Sequence, residues 1–160
     1  MWQRFTERAR TSVFWAQEEA GWLHDNQVST GHLLLGLMHS EGVMEGSSAL
    51  QLLGRLGIAP DAVRNEVLRI LQPGDAPPNS DRSLTRAAKV SIDRAYDESR
   101  AMDCDHIGTE HLILGLISEE VGAGRVLVQL GADLDRARIV VCEMQGRSAG
   151  QLGETPSPSQ

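Results

Sequence analysis

His106, Thr109, Glu110 and His111 stand close enough in the chain to do chemistry together. A helix starting at Thr109 presents unpaired backbone N–H groups, and such groups attract an anion such as phosphate. Glu110, in the same first turn, attracts a cation. Together they could hold a group bearing both charges, with the hydroxyls of Thr109 and Thr85 as further donors. Glu110 also has a plainer use, because an acid in a first turn complements the helix dipole. His106, Glu110 and His111 are metal-ligating types, but His106 falls in a turn and the order is not His-Glu-x-x-His. Too few ligands converge for zinc, so no metal and no cofactor are expected. The chain has no Gly-x-x-x-x-Gly-Lys-Ser/Thr loop and no Gly-x-Ser-x-Gly elbow, so nucleotide hydrolysis and acyl transfer lack their usual residues. The chemistry points to binding, not catalysis.

The stretch that carries these residues occurs twice. Ile107-Gly108-Thr109-Glu110-His111-Leu112-Ile113-Leu114-Gly115-Leu116 answers to Val28-Ser29-Thr30-Gly31-His32-Leu33-Leu34-Leu35-Gly36-Leu37, 79 residues upstream. At that offset residues 6–39 and 85–118 match at eleven of 34 positions without a gap. The matches include Thr6/Thr85, Ser12/Ser91, Ala16/Ala95, Glu19/Glu98, Thr30/Thr109, His32/His111 and Gly36/Gly115. That density marks a duplication. Thr30 and Thr109 read as helix N-caps. The repeated His32 and His111 read as packing groups whose imidazoles hydrogen-bond a neighbouring turn and lock the two halves together. The copies differ at one charge: Gly31 stands where the second copy has Glu110, so Thr6, Thr30 and Gly31 form a degenerate counterpart of Thr85, Thr109 and Glu110.

The elements that position these residues follow from apolar periodicity and punctuation. A long helix is predicted over about Thr6–His24, with Ala9, Val13, Ala16 and Ala20 at helical spacing. Trp15 and Trp22, seven residues apart, lie on nearly one face and offer a broad apolar surface. Short apolar helices follow over Thr30–His39, Ser48–Leu56 and Pro60–Leu71, with Gly57 as a left-handed cap and Pro60 in a first turn. The second half repeats the plan: Thr85–Met102, Thr109–Ser118, a short helix ending at Leu130-Gly131, and Asp133–Met144. Ser40–Ser48 reads as a loop in which the first copy carries five extra residues. The expected organisation is a double-repeat domain over 1–146, with repeat one at 5–71, a Pro/Gly linker at 72–82 and repeat two at 83–145. Residues 147–160, rich in Ser, Gly and Pro, read as a disordered tail. The expected fold class is all-α, an eight-helix bundle of two pseudo-twofold-related four-helix repeats.

Composition sets outer bounds. The net charge of −7, from 15 basic and 22 acidic residues, argues against nucleic-acid binding, which needs clustered Lys and Arg. Only 4% of residues are aromatic, so Ala, Leu, Val and Ile must fill the core. Cys104 and Cys142 make no disulfide framework, which fits a reducing compartment. The N-terminus is not signal-like, and no apolar run approaches the roughly 20 residues that span a bilayer. A cytoplasmic protein with no membrane partner is expected.

With these residues laid out, a resemblance is visible. Arg4-Phe5-Thr6-Glu7-Arg8-Ala9-Arg10, Ala16-Gln17-Glu18-Glu19-Ala20 and the paired Thr-Gly/Glu-His-Leu-Leu/Ile-Leu-Gly-Leu runs closely resemble the N-terminal repeat domain of Clp-family AAA+ unfoldases, of the ClpC type. The resemblance covers about residues 2–145. It implies an eight-helix pseudo-dimer that receives substrate and adaptor proteins for an ATPase ring and binds phosphorylated arginine on proteins marked for degradation. It implies a non-enzymatic module whose partners are substrates, Clp adaptors or the Clp ring. In that family the Glu of the repeated motif and a Thr at the start of each long helix form the phosphoarginine pocket. By that pattern Thr85, Thr109 and Glu110 make the second pocket, while Gly31 removes the carboxylate from the first. The chain departs from the family pattern after each short helix, at Ser40–Gly46 and Glu119–Gly122, and it contains neither ATPase module. The alternative reading is a structural or regulatory protein that docks on a Clp ring or adaptor through the Trp15/Trp22 face without using a pocket.

Overall fold

The computed structural model describes residues 2–39, 47–77 and 82–146. Most of the expected Ser40–Ser48 loop, the 78–81 part of the linker and the tail after Gly146 lie outside the described residues. Eight α-helices occur among the described residues: α1 (Glu7–Trp22), α2 (Thr30–Leu37), α3 (Ser48–Arg55), α4 (Pro60–Ile70), α5 (Arg86–Ala101), α6 (Thr109–Glu119), α7 (Ala123–Gln129) and α8 (Leu134–Met144). Sequence reading missed two short parallel pairings. One joins β1 (Gln27–Val28) to β2 (Ser83–Leu84), and the other is an isolated bridge between Phe5 and Ile107. Two-residue strands leave no periodicity to detect.

α1–α2 and α5–α6 are helical hairpins joined by turns at positive-φ His24 and Asp103. Their close approach explains several of the duplicated identities. Gly36 crosses α1 at Ser12 and Ala16, and Gly115 crosses α5 at Ser91 and Ala95. α2 and α6 are buried all round, so the apolar run of each copy forms the centre of the bundle. Glu19 and Glu98 lie buried, and each meets an arginine from the last helix of its repeat. Arg64 reaches Glu19 at 3.1 Å and Arg138 reaches Glu98 at 2.7 Å.

Two repeated residues act otherwise than the sequence suggests. Thr30 and Thr109 are the first helical residues of α2 and α6, not their caps; Ser29 and Gly108 occupy the N-cap positions. Each buried threonine hydroxyl instead accepts from the helix start of the opposite repeat. Thr30 Oγ1 takes the Ala123 N–H of α7 at 3.2 Å, and Thr109 Oγ1 takes the Ala49 N–H near the start of α3 at 3.0 Å. His32 and His111 do hydrogen-bond the turn before their helices, but all their bonds shown lie within their own repeats, so they do not join the halves. The threonines make the reciprocal lock because a side chain at the first helical position points outward from its own helix end. Thr109→Val should therefore leave the Ala49 N–H buried without an acceptor, costing about 2 kcal/mol. Thermal denaturation should show Tm falling by roughly 4–8 °C for a domain of this size.

Candidate functional site

The Phe5–Ile107 bridge brings two helix starts together. Ile107 N–H donates to Arg4 O at 2.8 Å and Thr6 N–H donates to Ile107 O at 3.0 Å. α1 begins at Glu7 and α6 at Thr109, so their first turns emerge side by side. The β1–β2 pair does the same for α2 and α5, where Thr85 N–H donates to Val28 O at 2.9 Å. Each junction thus combines the long helix of one repeat with the short helix of the other.

This crossing corrects the expected grouping of site residues. Thr85 caps α5 by accepting from Ala88 N–H at 3.1 Å, and Thr6 caps α1 by accepting from Ala9 N–H at 3.1 Å. Thr85 does not, however, lie with Thr109 and Glu110. α5 and α6 run antiparallel and cross where Gly115, six residues after Thr109, meets Ser91 and Ala95, six and ten residues after Thr85. At 1.5 Å per residue, each start lies at least about 9 Å from the crossing, in opposite directions. The residue that joins Thr109 and Glu110 is Thr6, and Thr85 joins Thr30 and Gly31. Sequence reading paired residues within a repeat because the motif repeats there; only the interlock of the halves shows the exchange.

Glu110 is buried, with its side chain 9% exposed, and its carboxylate folds back over Gly108. A Cβ on Gly108 would overlap Glu110 Oε2, so the glycine makes the space that the carboxylate fills. The negative charge therefore sits at the N-terminus of α6, beside that of α1. The first copy inverts the arrangement. Ser29 stands at the position of Gly108 and caps α2 with its own side chain, while Gly31 replaces Glu110. A Cβ on Gly31 would lie 3.0 Å from Leu71 Cδ2. The place a carboxylate would need is thus occupied by Ser29 and Leu71, and Gly31 is a rebuilt site, not a simple truncation.

The two histidines close the starts of α2 and α6. His32 Nδ1 accepts the Ser29 N–H at 2.9 Å, and its Nε2–H donates to Asp25 Oδ2 at 2.6 Å. His111 Nδ1 accepts the Gly108 N–H at 3.0 Å, and the Gln145 amide lies 3.4 Å from Nε2. Histidine here takes the part that Glu or Gln plays in a capping box. With both ring nitrogens of His111 engaged, no lone pair is left for a metal ion. Among the described residues no group of three or more His, Cys, Asp or Glu is arranged to hold one.

Both rings titrate below the usual value of 6.5, because burial disfavours the imidazolium more than Asp25 or Glu110 favours it. Depressed native pKa values give stability that is complete above 6.5 and is lost as pH falls toward them, since the unfolded chain takes protons that the native chain refuses. Urea midpoints should therefore fall between pH 6.5 and 5. His32→Gln, which keeps an acceptor for the Ser29 N–H, should flatten that slope.

The sequence pattern of the Clp repeat (R) N-terminal domain matches residues 4–130, most of the chain. The chain belongs to the Clp N-terminal domain family. It is 40% identical over 154 residues to the chaperone protein ClpB of Oceanobacillus iheyensis, covering 96% of this chain. It is 40% identical over 147 residues to the negative regulator of genetic competence ClpC/MecB of Bacillus subtilis, covering 91% of this chain. The chain spans 18% of the length of each of these relatives. Among solved structures, the N-terminal domain of ClpD from Arabidopsis thaliana is 33% identical with a TM-score of 0.65, covering 91% of this chain and 99% of that one. The Hsp104 N-terminal domain from Candida albicans, 17% identical with a TM-score of 0.71 over 93% of this chain and 99% of that one, shares the fold.

One further feature of this Clp N-domain escaped sequence reading. An open basin of about 600 Å³ lies beside the Phe5–Ile107 bridge, lined by Arg4, Tyr96, Arg100, Asp103, Cys104 and Asp105. The Arg4 and Arg100 guanidinium carbons sit 5.6 and 5.7 Å from the Tyr96 ring centre, within cation–π range. Five of these residues come from the end of α5 and the turn after it, and only the Phe5–Ile107 bridge brings Arg4 to them, a contact that nothing in the sequence shows. No helix among the described residues is long and apolar enough to cross a membrane.

Proposed function

We propose that this Clp N-domain is a non-catalytic module that receives substrate or adaptor proteins for a Clp ATPase, and that it binds phosphoarginine at the junction of α1 and α6. One observation carries the reading: the Glu110 carboxylate lies at two adjoining helix N-termini. Helix-start N–H groups and the Thr6 hydroxyl suit a phosphate, and a carboxylate suits a guanidinium. Phosphoarginine presents both groups on one side chain. The carboxylate turns from Gly108 toward the bound guanidinium. The adjoining basin gives room for the polypeptide on either side of the modified residue. The likeness to full-length Clp ATPases supports the wider role, with clients delivered to a ring. The α2–α5 junction has Thr85 but carries Gly31 at the position of Glu110, so it lacks the counterpart of that carboxylate as a partner for the cation.

Calorimetric titration of free phosphoarginine into the wild-type domain tests this directly. One site per chain is the expected result. No binding, or two equal sites, would overturn the assignment to Glu110.

A further inference from the structure

The buried face of α1 carries Ala9, Ser12, Val13, Ala16, Glu19 and Ala20. Roughly opposite lie Phe14, Trp15, Glu18 and Trp22. Phe14 is 52% exposed and Trp22 56% exposed, high values for such large apolar side chains. Their rings are mutually ordered. Phe14 meets Trp15 edge-on at 5.4 Å, Trp15 and Trp22 lie 6.2 Å apart, and Trp15 stacks flat on His39 at 3.8 Å. Trp22 and His39 continue into a groove of about 500 Å³ lined also by Met38, Leu50, Pro60 and Asp61.

The second repeat is an internal control for what folding requires at these places. α5 and α6 pack as α1 and α2 do, yet the matching positions carry Asp93 for Phe14, Arg94 for Trp15, Asp97 for Glu18, Ala101 for Trp22 and Ser118 for His39. Where the first repeat stacks Trp15 on His39, the second pairs Arg94 with Glu119 at 3.1 Å. The fold needs no aromatic residue on this face. A chain with only 4% aromatic residues has nevertheless placed three of them here in contact, two largely in water.

Charge decides the occupant. Glu18 lies exposed on the aromatic stripe and Asp61 lies exposed in the groove, and neither is in an ion pair among the described residues. The Arg64 guanidinium that lines the groove is tied to Glu19. An indole face beside a carboxylate attracts a guanidinium or ammonium group, and tryptophan is the strongest of the aromatic side chains in doing so. We propose that this face docks a basic segment of a partner protein, one in which arginine or lysine alternates with apolar side chains. Exposed, pre-ordered tryptophans provide the anchors, and Glu18 and Asp61 select the positive charge.

A synthetic peptide of alternating arginine and leucine, titrated by calorimetry and followed by tryptophan fluorescence, tests the proposal. It should bind the wild-type domain. Binding should weaken at least about tenfold in the Phe14→Asp/Trp22→Ala double variant, which carries the residues the second repeat itself uses. Glu18→Lys, an exposed change that leaves the aromatic rings in place, should weaken it as well and carries the test should the double variant unfold. A peptide with glutamate in place of arginine, or serine in place of leucine, should bind no more than weakly. Equal binding by the variants, or by the glutamate peptide, would overturn the proposal. So would a wild-type dimer in sedimentation that the double variant dissolves, because the face would then belong to a second copy of this chain. Glu110→Gln should leave this peptide's binding unchanged, so the two sites succeed or fail separately.

Discussion

Glu110→Gln is expected to weaken phosphoarginine binding about 30-fold or more, since losing one partner of a desolvated charge pair costs at least about 2 kcal/mol. Glutamine keeps the size and polarity of the side chain, so the loss reports charge. A second variant separates charge from placement. Gly108→Ser puts a side chain where the carboxylate now sits, and it should displace Glu110 without removing it. Binding should fall there too, although the net charge is unchanged. The converse construction uses the first repeat. Gly31→Glu alone should restore nothing, because Ser29 and Leu71 occupy the space. Combined with Ser29→Gly and Leu71→Ala, it should raise the calorimetric stoichiometry from one toward two. Unchanged affinity in both Glu110→Gln and Gly108→Ser would remove the pocket from this junction.

Gly115→Ala is expected to destabilise the domain by about 3 kcal/mol or more, against the usual gain of roughly 1 kcal/mol when alanine replaces glycine inside a helix. An added Cβ would overlap the Ser91 carbonyl oxygen and lie 2.9 Å from Ala95 N. Those are backbone atoms, which cannot rotate aside, so α6 must move off α5. Gly36→Ala should behave alike, because its Cβ would overlap Ser12 O and lie 2.8 Å from Ala16 N. Gly54→Ala gives the opposite sign. It lies in α3 with nothing within 4 Å of the added atom, so helix propensity alone should raise stability slightly. Chemical denaturation of the three variants distinguishes packing from propensity, and equal shifts in all three would contradict the close crossing.

The wider reading depends on which repeated residues stayed alike and which diverged. The conserved pairs between the halves do shared structural work: Ser12, Ala16 and Gly36 with their counterparts make the crossings, Glu19 and Glu98 hold arginines, and Thr30 and Thr109 bind the opposite repeat. The divergent pairs give each half its own surface. Glu110 against Gly31 makes one junction acidic, and Phe14, Trp15 and Trp22 against Asp93, Arg94 and Ala101 make one outer face aromatic. A duplicated fold can keep its architecture twice and specialise each copy once.

The sequence by itself determined the helices, the duplication and the chemical asymmetry. Helix positions were legible because apolar side chains recur at the helical period and Gly57, Pro60 and Gly131 mark ends with local backbone rules. The contrast of Glu110 with Gly31 needed only an internal alignment. The tertiary structure alone decided which residues share a site. A repeat tells how each unit is built, but contacts between units depend on how they interlock, and here the long helix of each half starts beside the short helix of the other. That exchange moved Thr6 to Glu110 and Thr85 to Gly31. It turned Thr30 and Thr109 from local caps into the bonds between the halves, because a hydroxyl at a helix start answers to whatever N–H group is brought against it.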